Sequence, residues 1–336
     1  MGAPGLDLPS LQSWLDPVVG GLAGPLEARV LTGGKSNLTY TLSDGVRRWV
    51  LRRPPLGPLT PTAHDMAREF RVVAALRETS VPVAKAVALC EDDSVIGVPF
   101  AIVGFVEGRT LQSGDDTERL SADAARRISE ALVDTLAALH AVPYTEVGLT
   151  DFGRPRGYLG RQLKRWRGQW DLVATRRLPA VDRLHGLLAG AVPTPPSSTI
   201  VHGDFRLDNV ILDPLGDGRI LAVVDWEMAT LGDPLADLGL LLVYWDPVSE
   251  PVLGVRHATT ANPGFPSPAE LAERYAKACG LPLDHLPFYE ALGCFKLAVI
   301  AEGIHQRFLA GKTVGDGFAT VGDAVPNLLE RGLGLL

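Results

Sequence analysis

Cysteine is scarce: only Cys90, Cys279 and Cys294 occur among 336 residues. They are odd in number and widely spaced. That pattern argues against a disulfide framework or a thiolate zinc motif and fits a reducing compartment. Long basic runs are missing too, and the formal net charge is −7. Wholesale binding to a nucleic-acid backbone is therefore not expected. No apolar run approaches the length needed to span a bilayer. The opening MGAPGLDLPSL lacks the basic region and apolar stretch of a secretory signal. These absences lead to an expectation of a cytoplasmic protein with neither nucleic acid nor membrane as partner. The acidic balance would suit a cationic substrate, although many cytosolic proteins share it. What remains is an ordinary globular composition, 46% hydrophobic and 21% charged, in a chain long enough for two lobes.

Residues 28–53 alternate apolar and polar positions around turn signals, and read as strand, glycine turn, strand, Ser-Asp-Gly turn, strand. A helix is expected near 65–78, then strand material through Val106. Beyond Gly108 the character becomes helical. Ile128, Leu132, Leu136 and Leu139 fall at helical spacing within 121–141, and 157–175, 267–280 and 287–310 also read as helices. The expected class is α+β: a small antiparallel-sheet lobe (1–104) and a larger, mostly helical lobe (105–336), joined near 104–109.

The stretch VHGDFRLDNVILDP, 201–214, concentrates polar residues beside strand-like runs. After Asn209 come VILD, a Pro/Gly-rich turn and ILAVVD, a hairpin signal. Asn209 and Asp225 are equidistant from Asp217, so an antiparallel hairpin brings them together, or nearly so, at its open end. Asp204 lies just upstream. Magnesium takes hard oxygen ligands. Asn209 and Asp225 fit as ligands, which leaves Asp204 to orient and deprotonate a hydroxyl, the division of labour in phosphoryl transfer. The alternative is that these residues serve turn geometry.

HGDFRLDN followed by VVDWE resembles the aminoglycoside phosphotransferase and choline kinase superfamily. GGKSNLTY, VLRRPP, HDMAREF and LGDPLADLG look like its kinase-like branch associated with acyl-CoA dehydrogenases. The resemblance covers roughly 28–310. It implies a bilobal protein-kinase-like fold and transfer of phosphate from ATP or GTP to a small molecule. It implies Asp204 as base, Asn209 and Asp225 as magnesium ligands, and His202 as a residue that holds the loop. Asp237 would brace the loop, with a helix N-cap as its alternative. Arg206, two residues after Asp204, stands where protein kinases often carry a Lys facing the transferring phosphate. Its alternative is an ion pair with Asp208 or another loop carboxylate.

For the nucleotide, Gly33 and Gly34 permit a tight turn, and Ser36 and Asn37 can add hydrogen bonds to phosphate. The kinase plan asks for a cation on the third strand. This chain has Arg52 and Arg53 and no Lys there, and the resemblance implies Arg52 in that role, with Arg53 expected as surface charge. Glu69 shares a helix face with Val72, Val73 and Leu76, so it needs a partner, which the strand cation supplies. Backbone at Gly104 and Val106 is assigned to adenine by resemblance, with Val103 and Phe105 shaping the pocket.

The acceptor end is less determined. RQLKRWRGQW (161–170) reads as a solvated charged face with aromatic anchors, and Glu302 and His305 interrupt an apolar helix, either toward a substrate or satisfying each other and nearby backbone. The expectation is a magnesium- and ATP- or GTP-dependent phosphotransferase with a hydroxyl-bearing acceptor: an aminoglycoside, a hydroxyacyl compound or another metabolite. The alternative is a nucleotide-binding pseudoenzyme with a regulatory role. Oligomeric state is not addressed by the sequence.

Overall fold

The computed structural model describes residues 3–31, 37–56, 65–215, 217–253, 260, 262–313 and 317–336. Helix α1 (Leu8–Val18) starts at Asp7, whose carboxylate accepts the Ser10 N–H. Strands β1 (Glu27–Val30), β2 (Leu38–Ser43) and β3 (Arg48–Arg53) follow, then α2 (Met66–Leu76), β4 (Ala86–Cys90) and β5 (Phe100–Gly104). The five strands form one sheet, ordered β1-β2-β3-β5-β4, with every pair antiparallel. Its core collects Tyr40, Leu42, Trp49, Leu51, Phe100 and Ile102, and α1 covers it with Leu11 and Leu15.

One expectation fails in this sheet. Arg53 is not surface charge: it is 5% exposed, and its guanidinium donates to the Pro54 carbonyl at 3.2 Å and to the Gly5 carbonyl. The cause is strand alternation. Trp49, Leu51 and Arg53 share the buried face of β3, and the segment leading into α1 caps that face with carbonyls. The same alternation turns Arg52 to the opposite face.

The larger part contains α3 (Gly114–Thr117), α4 (Ala122–Ala141), α5 (Tyr158–Val173) and α6 (Pro179–Gly190). Short strands β6 (Thr199–Val201), β7 (Val210–Leu212), β8 (Ile220–Val223) and β9 (Thr230–Gly232) form two pairs, β6 with β9 and β7 with β8. Then come α7 (Pro234–Trp245), α8 (Glu250–Leu253), α9 (Pro268–Cys279), α10 (Leu286–Leu309) and α11 (Val321–Gly334). Trp166 and Trp170 of α5 are buried, while Arg167 pairs outward with Asp171 and Asp182 at 3.2 and 2.7 Å. Glu302 is satisfied by Thr175, at 2.9 Å from its N–H and 2.6 Å from its hydroxyl, and by Arg176 at 3.2 Å, not by His305. Together these form a bilobal kinase-like α+β fold. Among the described residues no helix is long and apolar enough to cross a membrane.

Two connections set how the site is framed. Helix α2 puts Val72, Val73 and Leu76 into the core of the larger part, and Arg68 donates to the carbonyls of Phe152 and Ala229. The linker after β5 is stitched to β7: Arg109 and Leu212 exchange N–H···O bonds of 3.0 and 2.8 Å. Gly108 lies so close to that strand that a Cβ would meet Ile211 at 2.4 Å and the Leu212 carbonyl at 2.5 Å, so only glycine fits without a shift.

Candidate active site

The polar loop begins where β6 ends. Asp237, in the first turn of α7, receives the His202 N–H at 2.6 Å and the Gly203 N–H at 2.8 Å, with the His140 ring 3.3 Å away. The helix cap is Asp233, which accepts from the Leu235 N–H. Of the two roles open to Asp237, the geometry shows the brace. Gly203 turns the chain at φ 82°, and a Cβ there would sit 2.7 Å from the Met228 carbonyl. The His202 ring bridges the loop. Its Nε2 lies 3.0 Å from the Val224 carbonyl, which can only accept, so Nε2 is the donor and Nδ1 accepts the Asp204 N–H at 3.2 Å.

Asp204 is held by both oxygens. Oδ2 accepts from the Asn209 amide at 3.1 Å and lies 3.5 Å from Arg206 Nε. Oδ1 accepts the Tyr244 hydroxyl at 2.6 Å. Burial pushes this carboxyl up, but the charges of Arg206 and Lys296 and the Tyr244 hydrogen bond outweigh it, so it lies below the usual carboxylate range and is ionised at neutral pH. Arg206 also pairs with Asp208 at 2.9 Å and lies 5.0 Å from the Tyr244 ring centre. The Asp208 ion pair weighed from the sequence is therefore present, and the guanidinium faces Asp204 as well.

The hairpin pairs Val210 with Val223, and Val224 donates its N–H to the Asn209 carbonyl at 2.9 Å. Asn209 and Asp225 thus stand almost opposite each other at its open end. Asp225 is the one non-glycine with positive φ among the described residues, at 66°. An Asp tolerates this left-handed backbone better than most residues, at a cost on the order of 1 kcal/mol. Across the cleft, Arg52 reaches Glu69 at 2.8 Å and Asp225 at 3.0 Å. Burial lifts the Glu69 carboxyl to about 7 against the pull of Arg52.

The donor set suits magnesium. The Asn209 amide nitrogen donates to the Asp204 carbonyl and carboxylate, which turns its amide oxygen away from Asp204. The Asp225 carboxylate is one-third exposed. These are two hard oxygen donors, both at the open end of one hairpin.

The remaining expected residues are placed less fully. Asn37 donates to Glu227 at 3.2 Å, linking the segment before β2 to the residues after Asp225. Ser36, Gly33 and Gly34 lie outside the described residues. Gly104 commits its N–H to the Lys85 carbonyl at 2.7 Å, which leaves only its carbonyl for a base, and Phe105 donates to Arg48 at 3.2 Å. Val106 is half-buried in the linker.

Two residues of the site had not been singled out in the sequence. Tyr244 comes from the C-terminal end of α7. Lys296, buried in α10, donates to the Gly203 carbonyl and sits 5.4 Å from the Trp166 ring centre. Burial lowers its pKa, against the pull of Asp204 and Asp237. A cleft opens on the far side of Tyr244 and Arg206 from Asp204, and Asp208, Leu241, Trp245 and Glu250 also line it.

Residues 27–273 match the family model described as "Phosphotransferase enzyme family". The chain belongs to that phosphotransferase family. It is 37% identical to acyl-CoA dehydrogenase family member 11 of Gallus gallus over 322 residues, 93% of this chain and 41% of that protein. The chain therefore spans about two-fifths of that relative's length. A solved structure from Ralstonia eutropha, assigned as an aminoglycoside phosphotransferase, superposes with a TM-score of 0.83 at 34% identity, covering 98% of both chains. The aminoglycoside phosphotransferase APH(4)-Ia, solved with AMP-PNP and hygromycin B, shares the fold at a TM-score of 0.62 and 20% identity, over 97% of this chain and 99% of that one.

Within this family frame the two adjacent arginines separate cleanly. Arg52→Ala is expected to raise the nucleotide KM about 10- to 100-fold, the weight of a charge-assisted contact. Arg53→Ala should leave KM nearly unchanged and lower the melting temperature by several degrees, because it releases the Gly5 and Pro54 carbonyls. Steady-state kinetics and thermal melts on both variants check this. The reverse order would show that Arg53, not Arg52, serves the phosphates.

Proposed function

We propose that the protein transfers the γ-phosphoryl group of ATP or GTP to a hydroxyl of a small molecule, with magnesium as cofactor. The observation that carries this is the single constellation in which Arg52 spans from Glu69 to Asp225 while Asn209, opposite Asp225, holds Asp204. The two relatives described as aminoglycoside phosphotransferases support the class of reaction.

Each residue has a separate task. Asn209 and Asp225 would hold magnesium, which when bound neutralises phosphate charge. Asp204, ionised and held at both oxygens, orients the acceptor hydroxyl and takes its proton. Arg206 faces the place where charge spreads over the transferring group. His202, Asp237 and Lys296 keep the loop in one shape. On the other side of the cleft, Arg52 binds phosphate and Glu69 aims it. Ser36 and Asn37 add hydrogen bonds to phosphate, and backbone at Gly104 and Val106 meets the base. The N-terminal lobe, 1–104, contributes the nucleotide contacts and 105–336 contributes the chemistry.

The decisive experiment is a screen of hydroxyl-bearing metabolites and antibiotics for phosphate acceptance from magnesium-ATP and magnesium-GTP, with Asp204→Ala as blank. Acceptance by the wild type alone supports the assignment. Nucleotide binding with no acceptor and no turnover would favour a regulatory pseudoenzyme.

Asp225→Asn gives a second check. Asn tolerates the left-handed backbone that Asp225 adopts, so the fold should persist. Magnesium-dependent nucleotide binding should weaken about tenfold or more by calorimetry. Equal binding with and without the substitution would remove Asp225 from the metal site.

A further inference from the structure

Each oxygen of the Asp204 carboxylate already carries a hydrogen bond from the protein, although the side chain is still 19% exposed. Oδ2 carries the Asn209 amide, and Oδ1 carries the Tyr244 hydroxyl at 2.6 Å. A phosphoryl acceptor needs one of these oxygens to receive its proton, and the acceptor is itself a hydroxyl. Tyr244 therefore presents to the base the same group that a substrate must present. Its ring also walls a cleft with Leu241 and Trp245, and the Arg206 guanidinium lies against it. An acceptor seated in that cleft touches Tyr244, whose hydroxyl is on the base.

We propose that the Tyr244 hydroxyl caps Oδ1 of Asp204 while no acceptor is bound, competing with water for the base until an acceptor hydroxyl takes its place. This rests on the phosphotransferase function proposed above. The reaction it suppresses is hydrolysis. In that reaction the bond from the γ-phosphorus to the β–γ bridging oxygen breaks, and the water oxygen bonds to phosphorus. The water proton passes to Asp204 and then to solvent, leaving nucleoside diphosphate and inorganic phosphate. A kinase whose base stands open to water loses nucleotide this way. Here Oδ1 is occupied by the hydroxyl of a side chain that α7 holds in place, between buried Val243 and Trp245. Tyr244 is thus a specificity-determining residue that acts through the base, favouring an alcohol whose remainder also packs against Tyr244 over a water that gains no such contact.

Tyr244→Phe removes the hydroxyl and keeps the ring. The full-length wild type and variant are compared for phosphate release from magnesium-ATP without acceptor, for magnesium-ATP binding by calorimetry, and for melting temperature. Phosphate release should rise on the order of fivefold, the equilibrium weight of one hydrogen bond, and adding Asp204→Asn should abolish the gain. A structural lesion would slow turnover, so a gain that needs Asp204 separates the cap from a mere packing role. Release that is unchanged or slower, in a variant that still binds magnesium-ATP, overturns the cap and leaves the phosphotransferase assignment standing. If neither protein binds magnesium-ATP, the phosphotransferase assignment falls, and the cap falls with it.

Discussion

Asp204→Asn is expected to lower turnover by about 10²- to 10⁴-fold, the range that a positioned proton acceptor contributes. Nucleotide affinity should stay within a few-fold, because the nucleotide contacts are assigned to Arg52 and to the hairpin ends. The substitution removes a carboxylate held ionised by Arg206 and Lys296 and leaves those two cations facing a neutral amide. Some loss of stability is therefore expected, and it must be measured beside the kinetics. Single-turnover phosphate transfer to the acceptor found in the screen checks the prediction. A rate within tenfold of wild type would mean that Asp204 is not the proton acceptor.

Asp237→Ala should be the most destabilising single change in the loop. It strands the N–H groups of His202 and Gly203 and leaves His140 without its carboxylate. Breaking a buried charge network by removing one partner costs about 3–5 kcal/mol. That corresponds to a fall in melting temperature of roughly 10 °C. Asp237→Asn keeps one acceptor and should fall between. Differential scanning calorimetry of the three proteins tests this. A drop of under about 3 °C for the Ala variant would show that His202 and its Val224 bond, not Asp237, hold the loop.

Legibility in the sequence followed the range of the contacts. Helices with an apolar stripe, such as α4 with Ile128, Leu132 and Leu136, were visible because the stripe repeats at the helical period. Helix α7 is buried almost all round and carries no such stripe, so its run of Leu and Val gave no helical signal. The hairpin that gathers Asp204, Asn209 and Asp225 was readable because its turn chemistry is local. Arg53 was misplaced because the carbonyl that buries it belongs to Gly5, far back in the chain. Tyr244 and Lys296 reach the site only through the packing of α7 and α10, and nothing near them in the sequence names Asp204 or Gly203. Lys296 did leave one trace, a lone cation in an apolar helical run, and a buried cation requires a partner.

The anchoring of α2 has a mechanical consequence. Its apolar face is packed into the helical part of the molecule, and Arg68 ties its first turn to the Phe152 and Ala229 carbonyls. Downstream, the linker is clamped to β7 from Arg109 onward. Helix α2 also packs against β4 and β5, so Glu69 lies on an element that both parts of the molecule hold. Arg52 rides on β3 alone. That one side chain joins β3 to two carboxylates at once, Glu69 and Asp225. Under the proposed function, phosphates would compete with those carboxylates for Arg52, so the side chain that ties β3 to the loop of Asp225 is also the one that a nucleotide must draw.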